Sequence, residues 1–531
     1  MWALLAKVLV ALVTSHFLVS FLDLSNKLWR GHRLLKQFPG PKYGILGVLP
    51  YFRKGKIHRL FTAWAKEFGP IFHFRILWYH MLCVTDPVLV TEAYHSKDLD
   101  KNRRGLTTID AMLSQKAYPS LVTSATDAHW KAVRKGVAPA FSPHNLREGF
   151  RHVVEAGQQL RGILLEWGPD RVVDLDNALL REALDVIGRV GFDRDMGATK
   201  SLAGGPASSN VAATSDAMQE VENRFREPYR RFKFWRKDVR EGKAAFRRYH
   251  GISEWLLKEI RTTPPAPSTI AGHLLRIKDP ATGNPLADER ILPEISILFM
   301  AGFETTGHTA AWILYLVSQH PDKEAKVVVE LAAAGLLASK RQPQPRQVAY
   351  EDLGRLTYLN AVIKEGLRMF PAVGTGTTRL NPKRDVLLGG KVLVPRGTII
   401  WMPTHALQHT PANWEQPDEF LPERWLDPGT EFAKGSTSSC KGEDAEDDTA
   451  EEIAGIRRPR RYIPFSLGAR SCVGQTLANM NLTATLAQLL GYFSFRLADE
   501  MGGPEGVLAA ERVSLTVSSV KGMKMHCIPR V

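Results

Sequence analysis

One short stretch constrains this chain more than any other: Phe465-Ser466-Leu467-Gly468-Ala469-Arg470-Ser471-Cys472-Val473-Gly474, with a helical stretch, Gln475 to Leu490, directly after it. A thiolate just ahead of a helix is stabilised by the positive end of the dipole and by free backbone N–H groups. Gly468 and Gly474 let the backbone turn tightly and approach a flat ligand. Phe465 can cover the sulfur side of such a ligand, and Arg470 can pair with a carboxylate on it. A lone cysteine is more often an inert core residue. Phe, Gly, Arg, Cys and Gly at these spacings form a much more specific set.

Four further patterns precede it. Trp130 and Arg134 share one face of a predicted helix through their i, i+4 spacing. A long apolar helix, from about Ile291 to Ser318, carries Ala301-Gly302-Phe303-Glu304-Thr305-Thr306 at its middle, where an acid and a hydroxyl are costly without partners. Glu365 and Arg368 share another helix face, with Phe370-Pro371 after them, and Pro422-Glu423-Arg424-Trp425 lies further on.

Together these residues resemble the cytochrome P-450 superfamily. The cysteine stretch matches its F-x-x-G-x-R-x-C-x-G pattern at every fixed position, and the other motifs follow in the family's order over most of the chain. The resemblance implies a mainly α fold with small peripheral β-sheets, preceded by an N-terminal transmembrane helix. It makes Cys472 the axial ligand of a haem b iron. Arg470, Phe465, Gly468, Trp130, Arg134 and, more loosely, Arg379 become haem contacts. Thr305 matches the oxygen-activating threonine, Glu304 joins it in proton delivery, and His308 reads as structural. Glu365, Arg368 and Arg424 form a buried ion triad that supports the core. Candidate pocket residues by family position are Ile109, Met112, Leu113, Phe299, Ala301, Val373 and Leu515.

The rest of the chain fits this outline. Trp2 to Leu22 is almost wholly apolar and about long enough to cross a bilayer. Lys27, Arg30, Arg33 and Lys36 follow it, which predicts an anchor over residues 1–24 with the bulk of the chain cytosolic. Residues 25–42 then form a basic flank and a stiff hinge at Phe38-Pro39-Gly40-Pro41, and 43–531 form one body. Strand-like runs are few: Ile71 to Leu77, Val386 to Val394 around a Gly389-Gly390 turn, and Arg512 to Val517. Residues 199–215, rich in Ala, Gly and Ser, predict a mobile loop. Residues 428–456, with a cluster of seven acids from Glu443 to Glu452 and no apolar anchor, predict a disordered insertion. Four cysteines in 531 residues are too few for a disulfide scaffold and lack the C-x-x-C spacing of a zinc site.

The implied activity is insertion of one oxygen atom of O2 into a lipophilic substrate: a fatty acid, sterol, terpenoid or carotenoid. No flavin or dinucleotide signature follows Cys472, so NADPH electrons are expected through a separate flavoprotein reductase. The net charge of +15 suits an acidic partner, and Arg457, Arg458, Arg460, Arg461, Lys131 and Lys135 are the expected docking face. A basic, aromatic stretch from Arg224 to Arg248 reads as an amphipathic cover resting on the bilayer and not as a nucleic-acid site. The endoplasmic reticulum is the default membrane, with a plastid membrane the alternative. Two competing readings keep the haem: an isomerase or dehydratase of lipid hydroperoxides, and a non-catalytic haem sensor. The Glu304-Thr305 pair argues against both.

Overall fold

The structure is a computed structural model. It describes residues 29–204, 209–227, 229–426 and 459–531, together with scattered residues between 14 and 26. Ten helices position the site: α1 (Pro87–His95), α2 (Thr107–Leu113), α3 (Ala128–Val137), α4 (Pro143–Trp167), α5 (Leu175–Val186), α6 (Ser209–Arg226), α7 (Lys237–Thr262), α8 (Asp288–Gln319), α9 (Thr357–Met369) and α10 (Gln475–Tyr492). Their ends follow from local chemistry. Asp127 caps α3 by accepting the Trp130 N–H at 2.7 Å, and Ser142 caps α4 ahead of a proline at its first position.

Helix α8 is the axis of the core. It is apolar on nearly every side, as expected of a helix enclosed by others. Asp288 and Glu289 occupy its first turn, where the dipole favours acids. It packs closely along α5, and α10 lies against α4, α8 and α9. One glycine makes the α5–α8 approach possible. A Cβ on Gly307 would fall 2.8 Å from the Cα of Leu180.

The sheets are small and peripheral. A five-stranded sheet runs in the order β1 (Ile71–Ile76), β2 (Tyr79–Val84), β8 (Ile399–Met402), β5 (Thr377–Leu380), β3 (Asp100–Lys101). Its β2–β8 pairing is parallel and the rest antiparallel. A second sheet joins β4 (Val172–Asp174), β12 (Lys524–Pro529) and β9 (Phe493–Leu497). Two hairpins complete the set: β6–β7 (Val386–Leu388 and Val392–Val394), turning at Gly389-Gly390, and β10–β11 (Glu511–Val513 and Val517–Ser519).

Two expectations change. The run from Arg512 to Val517 is not one strand. It breaks at Ser514, whose N–H donates to the Thr516 carbonyl at 3.3 Å, so Leu515 sits at a hairpin tip. The predicted loop at 199–215 holds a short 3-10 turn, Lys200–Ala203, and the start of α6 at Ser209. Alanine favours helix, and Val211, Ala213 and Ala217 are buried there. The predicted acidic insertion, 428–456, lies outside the described residues, as does most of the predicted 1–24 span. Residues 14–16, 18–19 and 22–23 of that span are helical. Among the described residues, no helix is long and apolar enough to cross a membrane.

Candidate active site

The cysteine loop is held by its own backbone. Cys472 N–H donates to the Phe465 carbonyl at 2.8 Å, and Ser471 N–H to the Gly468 carbonyl at 2.9 Å. Ser466 and Gly468 both take left-handed conformations, with φ of 66° and 68°. For the serine this costs roughly 1–2 kcal/mol. Gly468 is pressed against the end of α1, where a Cβ would lie 3.2 Å from the Tyr94 carbonyl oxygen. Gly474 precedes the first residue of α10, and its Cβ would stand 3.9 Å from the Cys472 sulfur.

Cys472 is exposed, yet protein surrounds it densely enough for burial to push its thiol above the usual range. The Gly474 N–H and Arg134 pull the other way. Exposure and crowding coincide when a sulfur looks into an enclosed gap. Helix α8 has a matching irregularity. Its middle is buried, but Ala301 is exposed and Thr305 is half-buried. Thr305 Oγ1 donates to the Ala301 carbonyl at 2.9 Å, a side-chain bond that competes with the helix ladder at this point.

Cations gather beside the loop. Arg470 lies 3.9 Å from the Trp130 ring centroid and donates to the Ser124 carbonyl at 2.9 Å and to Thr126 Oγ1 at 2.8 Å. Trp130 itself donates to the Leu121 carbonyl at 3.1 Å. Arg134 reaches Ser471 Oγ at 3.5 Å, and Arg379 is buried over Tyr94. Lys101, which no sequence pattern singled out, joins this group. Burial first, then Arg379 and Arg470, lower its pKa to about 7. Burial, with Arg379 and Arg134 adding to it, lowers Arg470 to about 10. Asp100, 3.7 Å from Arg470, and Asp127 are the nearby acids. The Nε of Arg470 is buried with no partner among the described residues. This cluster has more positive charge than the fold neutralises, so a flat ligand carrying carboxylates fits it.

The acid of α8 turns elsewhere. Glu304 accepts from Thr516 Oγ1 at 3.2 Å and lines a cavity of about 360 Å³ with Asp176, Arg181, His308 and Arg512. Burial raises its pKa, and His308 opposes that rise. His308 bonds Asp176 at 2.7 Å. Burial disfavours its charge, but Asp176 outweighs burial and the pKa rises. His308 is therefore part of a buried ion pair on the Glu304 side of α8.

The candidate pocket residues divide. Ile109, Met112, Leu113 and Phe299 are packed as core, with Phe299 held edge-on between Phe192 and Phe303. Ala301 and Val373 are exposed and Leu515 is half-buried. Of the expected docking residues, Arg457 and Arg458 lie outside the described residues. Arg461 turns inward, donating to the Asn413 carbonyl at 2.9 Å and lying over Trp414. Lys131 and Lys135 are exposed.

Away from the gap, Glu365 holds Arg368 through two bonds of 2.9 Å and Arg424 through one of 3.1 Å. It also accepts from the Trp425 indole at 2.9 Å and the Leu421 N–H at 3.0 Å. Both arginines complete their bonding on carbonyls, including those of Gln408, Pro417, Glu419 and Glu415. Trp414 lies beneath both guanidiniums. The motif spacing alone does not place either tryptophan beside the triad.

Comparison with known proteins agrees with this geometry. The family model described as Cytochrome P450 matches residues 38–508. Cytochrome P450 3A5 of Homo sapiens is 27% identical over 531 aligned residues, spanning 93% of this chain and 94% of its own length. Cytochrome P450 3A6 of Oryctolagus cuniculus is 27% identical over 526, again spanning 93% and 94%. A bifunctional cytochrome P450/NADPH–P450 reductase of Bacillus cereus is 26% identical over 461, spanning 86% of this chain and 39% of that protein. With a family match over most of its length, the chain belongs to the cytochrome P450 family and is a P450 monooxygenase.

Proposed function

We propose that Cys472 is the thiolate ligand of a haem iron and that the enzyme oxygenates a lipophilic substrate with electrons from a separate NADPH-dependent reductase. The observation that carries this reading is the Cys472 sulfur, exposed although protein crowds it, beside a cationic cluster that lacks its anions. Arg470, Arg379, Lys101 and Arg134 would hold the haem carboxylates, with Trp130 bracing Arg470 and Phe465 covering the sulfur side. When bound, a thiolate-ligated iron activates dioxygen and delivers one of its atoms to a C–H bond.

The chain's own residues do the rest. Thr305 keeps its hydroxyl on the exposed strip of α8 and holds a proton there. Glu304, raised toward neutrality by burial, can both take up and release a proton from the polar cavity it lines. Ala301, Val373 and Leu515 offer an apolar surface to the substrate. The Bacillus cereus relative's name joins a P450 to an NADPH–P450 reductase, which supports the electron source. Exposed Lys131 and Lys135 suit an acidic partner.

Residues 1–24 anchor the enzyme in a membrane by a single span, with the body cytosolic and the endoplasmic reticulum the default site. The end of α6 and the turn after it support a bilayer contact, because Phe225, Tyr229, Phe232, Phe234 and Trp235 are all exposed there beside arginines. The purified enzyme is expected to change haem spin state with one class in a panel of fatty acids, sterols, terpenoids and carotenoids. With reductase, NADPH and isotopically heavy O2, the product should gain one heavy oxygen. Thr305→Ala should slow product formation by about two orders of magnitude. Turnover of a lipid hydroperoxide without reductase, with no incorporation from O2, would overturn the monooxygenase assignment for this site.

A further inference from the structure

A second cavity lies where the helix at residues 29–35 meets the body. Its volume is about 310 Å³, and its lining includes Gly31, Trp78, Tyr79, His80, Arg104 and Arg396. Arg104 and Arg396 both line this hollow, and among the described residues no carboxylate does. The carboxylates nearby are already engaged. Asp110 holds Arg103 at 3.0 Å, Asp98 holds Arg384, and Asp385 holds Arg30 at 2.6 Å. Arg104 rests over the Tyr79 ring at 4.6 Å. Among the described residues, neither Arg104 nor Arg396 has an acid within ion-pair distance. Two like charges in one hollow repel, and a group with several anionic oxygens relieves that repulsion while accepting from both forks.

The surroundings say which anion. The helix at 29–35 is locked to the sheet: a Cβ on Gly31 would fall 2.5 Å from His80 Cδ2. The cavity is therefore fixed relative to residues 29–35, which follow the N-terminal apolar run in sequence. Trp78, in its lining, is exposed, and so is Leu46, which is joined to the Trp78 turn by a bond from Leu77 N–H at 3.2 Å. Gly105, next to Arg104, lies against Phe225, where a Cβ would come 3.5 Å from that ring. The end of α6, with its exposed Phe225, thus lies beside the segment that carries Arg104. Tryptophans with arginines beside an apolar run mark the headgroup level of a bilayer.

We infer that Arg104 and Arg396 bind the phosphate of an anionic phospholipid, which fixes how the body sits against its membrane. The lipid part of this inference rests on the proposed membrane anchor, whereas the phosphate site stands on the cavity alone. The test uses the full chain in neutral detergent micelles, titrated calorimetrically with dihexanoyl phosphatidate, dihexanoyl phosphatidylcholine and inorganic phosphate. Phosphatidate should bind best, weaken steeply with salt, and lose about tenfold in affinity in the Arg104→Gln/Arg396→Gln variant. Trp78→Ser should weaken phosphatidate and leave inorganic phosphate unchanged. Unchanged thermal unfolding and haem spectrum in each variant would show that the fold persists. Equal phosphatidate binding by the arginine variant and the parent would overturn the site. Equal affinity for inorganic phosphate and phosphatidate would overturn the lipid as its ligand. Alkaline extraction of the reconstituted chain from vesicles tests the anchor separately. Release there would refute the anchor without altering phosphate binding in micelles.

Discussion

Two arginine clusters in this protein have the same ingredients and opposite states of balance. Around Glu365, two guanidiniums and the carboxylate they share are fully buried, ringed by two indoles and several carbonyls. Around Arg470, two further arginines and Lys101 crowd together with Asp100 and Asp127 as the nearby acids, and burial and mutual repulsion hold Lys101 down to about 7. A satisfied buried network specifies structure. A cationic cluster left short of anions in a folded protein is prepared for a ligand that brings them. The difference separates scaffold from site without reference to distance from any catalytic atom.

Breaking the satisfied cluster should have the largest effect on stability. Glu365→Ala leaves two buried guanidiniums without their acid, and about 3–5 kcal/mol of stability should be lost, measured by chemical denaturation. Glu365→Gln, which keeps hydrogen-bond acceptance, should lose less. Equal stability of all three proteins would refute the structural role.

Arg470→Ala should act chiefly on ligand retention. Loss of a charge-assisted bond is worth about 1.5–3 kcal/mol, so haem release to an acceptor apoprotein should speed up by roughly ten- to a hundredfold. Denaturation of the haem-free protein should change less than it does in Glu365→Ala, despite the lost contacts to Ser124 and Thr126.

Lys101 gives a smaller effect with a distinctive sign. Its folded pKa lies below its unfolded one, so the unfolded chain binds more protons between about pH 7 and the ordinary lysine range near 10.4. Stability of the haem-free protein should therefore rise with pH across that window. Haem carboxylates would restore the charged form and flatten the slope. Lys101→Met should stabilise the haem-free protein and weaken haem retention together. A steep slope in the loaded enzyme would contradict the assignment of Lys101 to the haem carboxylates.

Much of the scaffold was legible from the sequence. The bounds of α8 and α10 follow from apolar runs with clear ends, and the β6–β7 hairpin follows from its two glycines. The central strands β2 and β8 were not seen because both of their faces are largely buried. Without a wet face there is no alternation to read. The triad's acid and arginines carry a spacing, so they were found. Trp414 and Lys101 carry none, since each reaches its cluster only through tertiary packing. Phe299 and Met112 were placed by family position, which does not determine whether a side chain faces a gap or the core.

The central claim is that Cys472 supplies a thiolate to a haem iron. The most direct test is the difference spectrum of the dithionite-reduced, carbon monoxide-bound protein, for the parent and for Cys472→Ser. The parent should give the strongly red-shifted Soret band that thiolate ligation produces. Cys472→Ser should retain haem in the cationic cradle but lose that band. A red-shifted band that survives in Cys472→Ser would contradict the account.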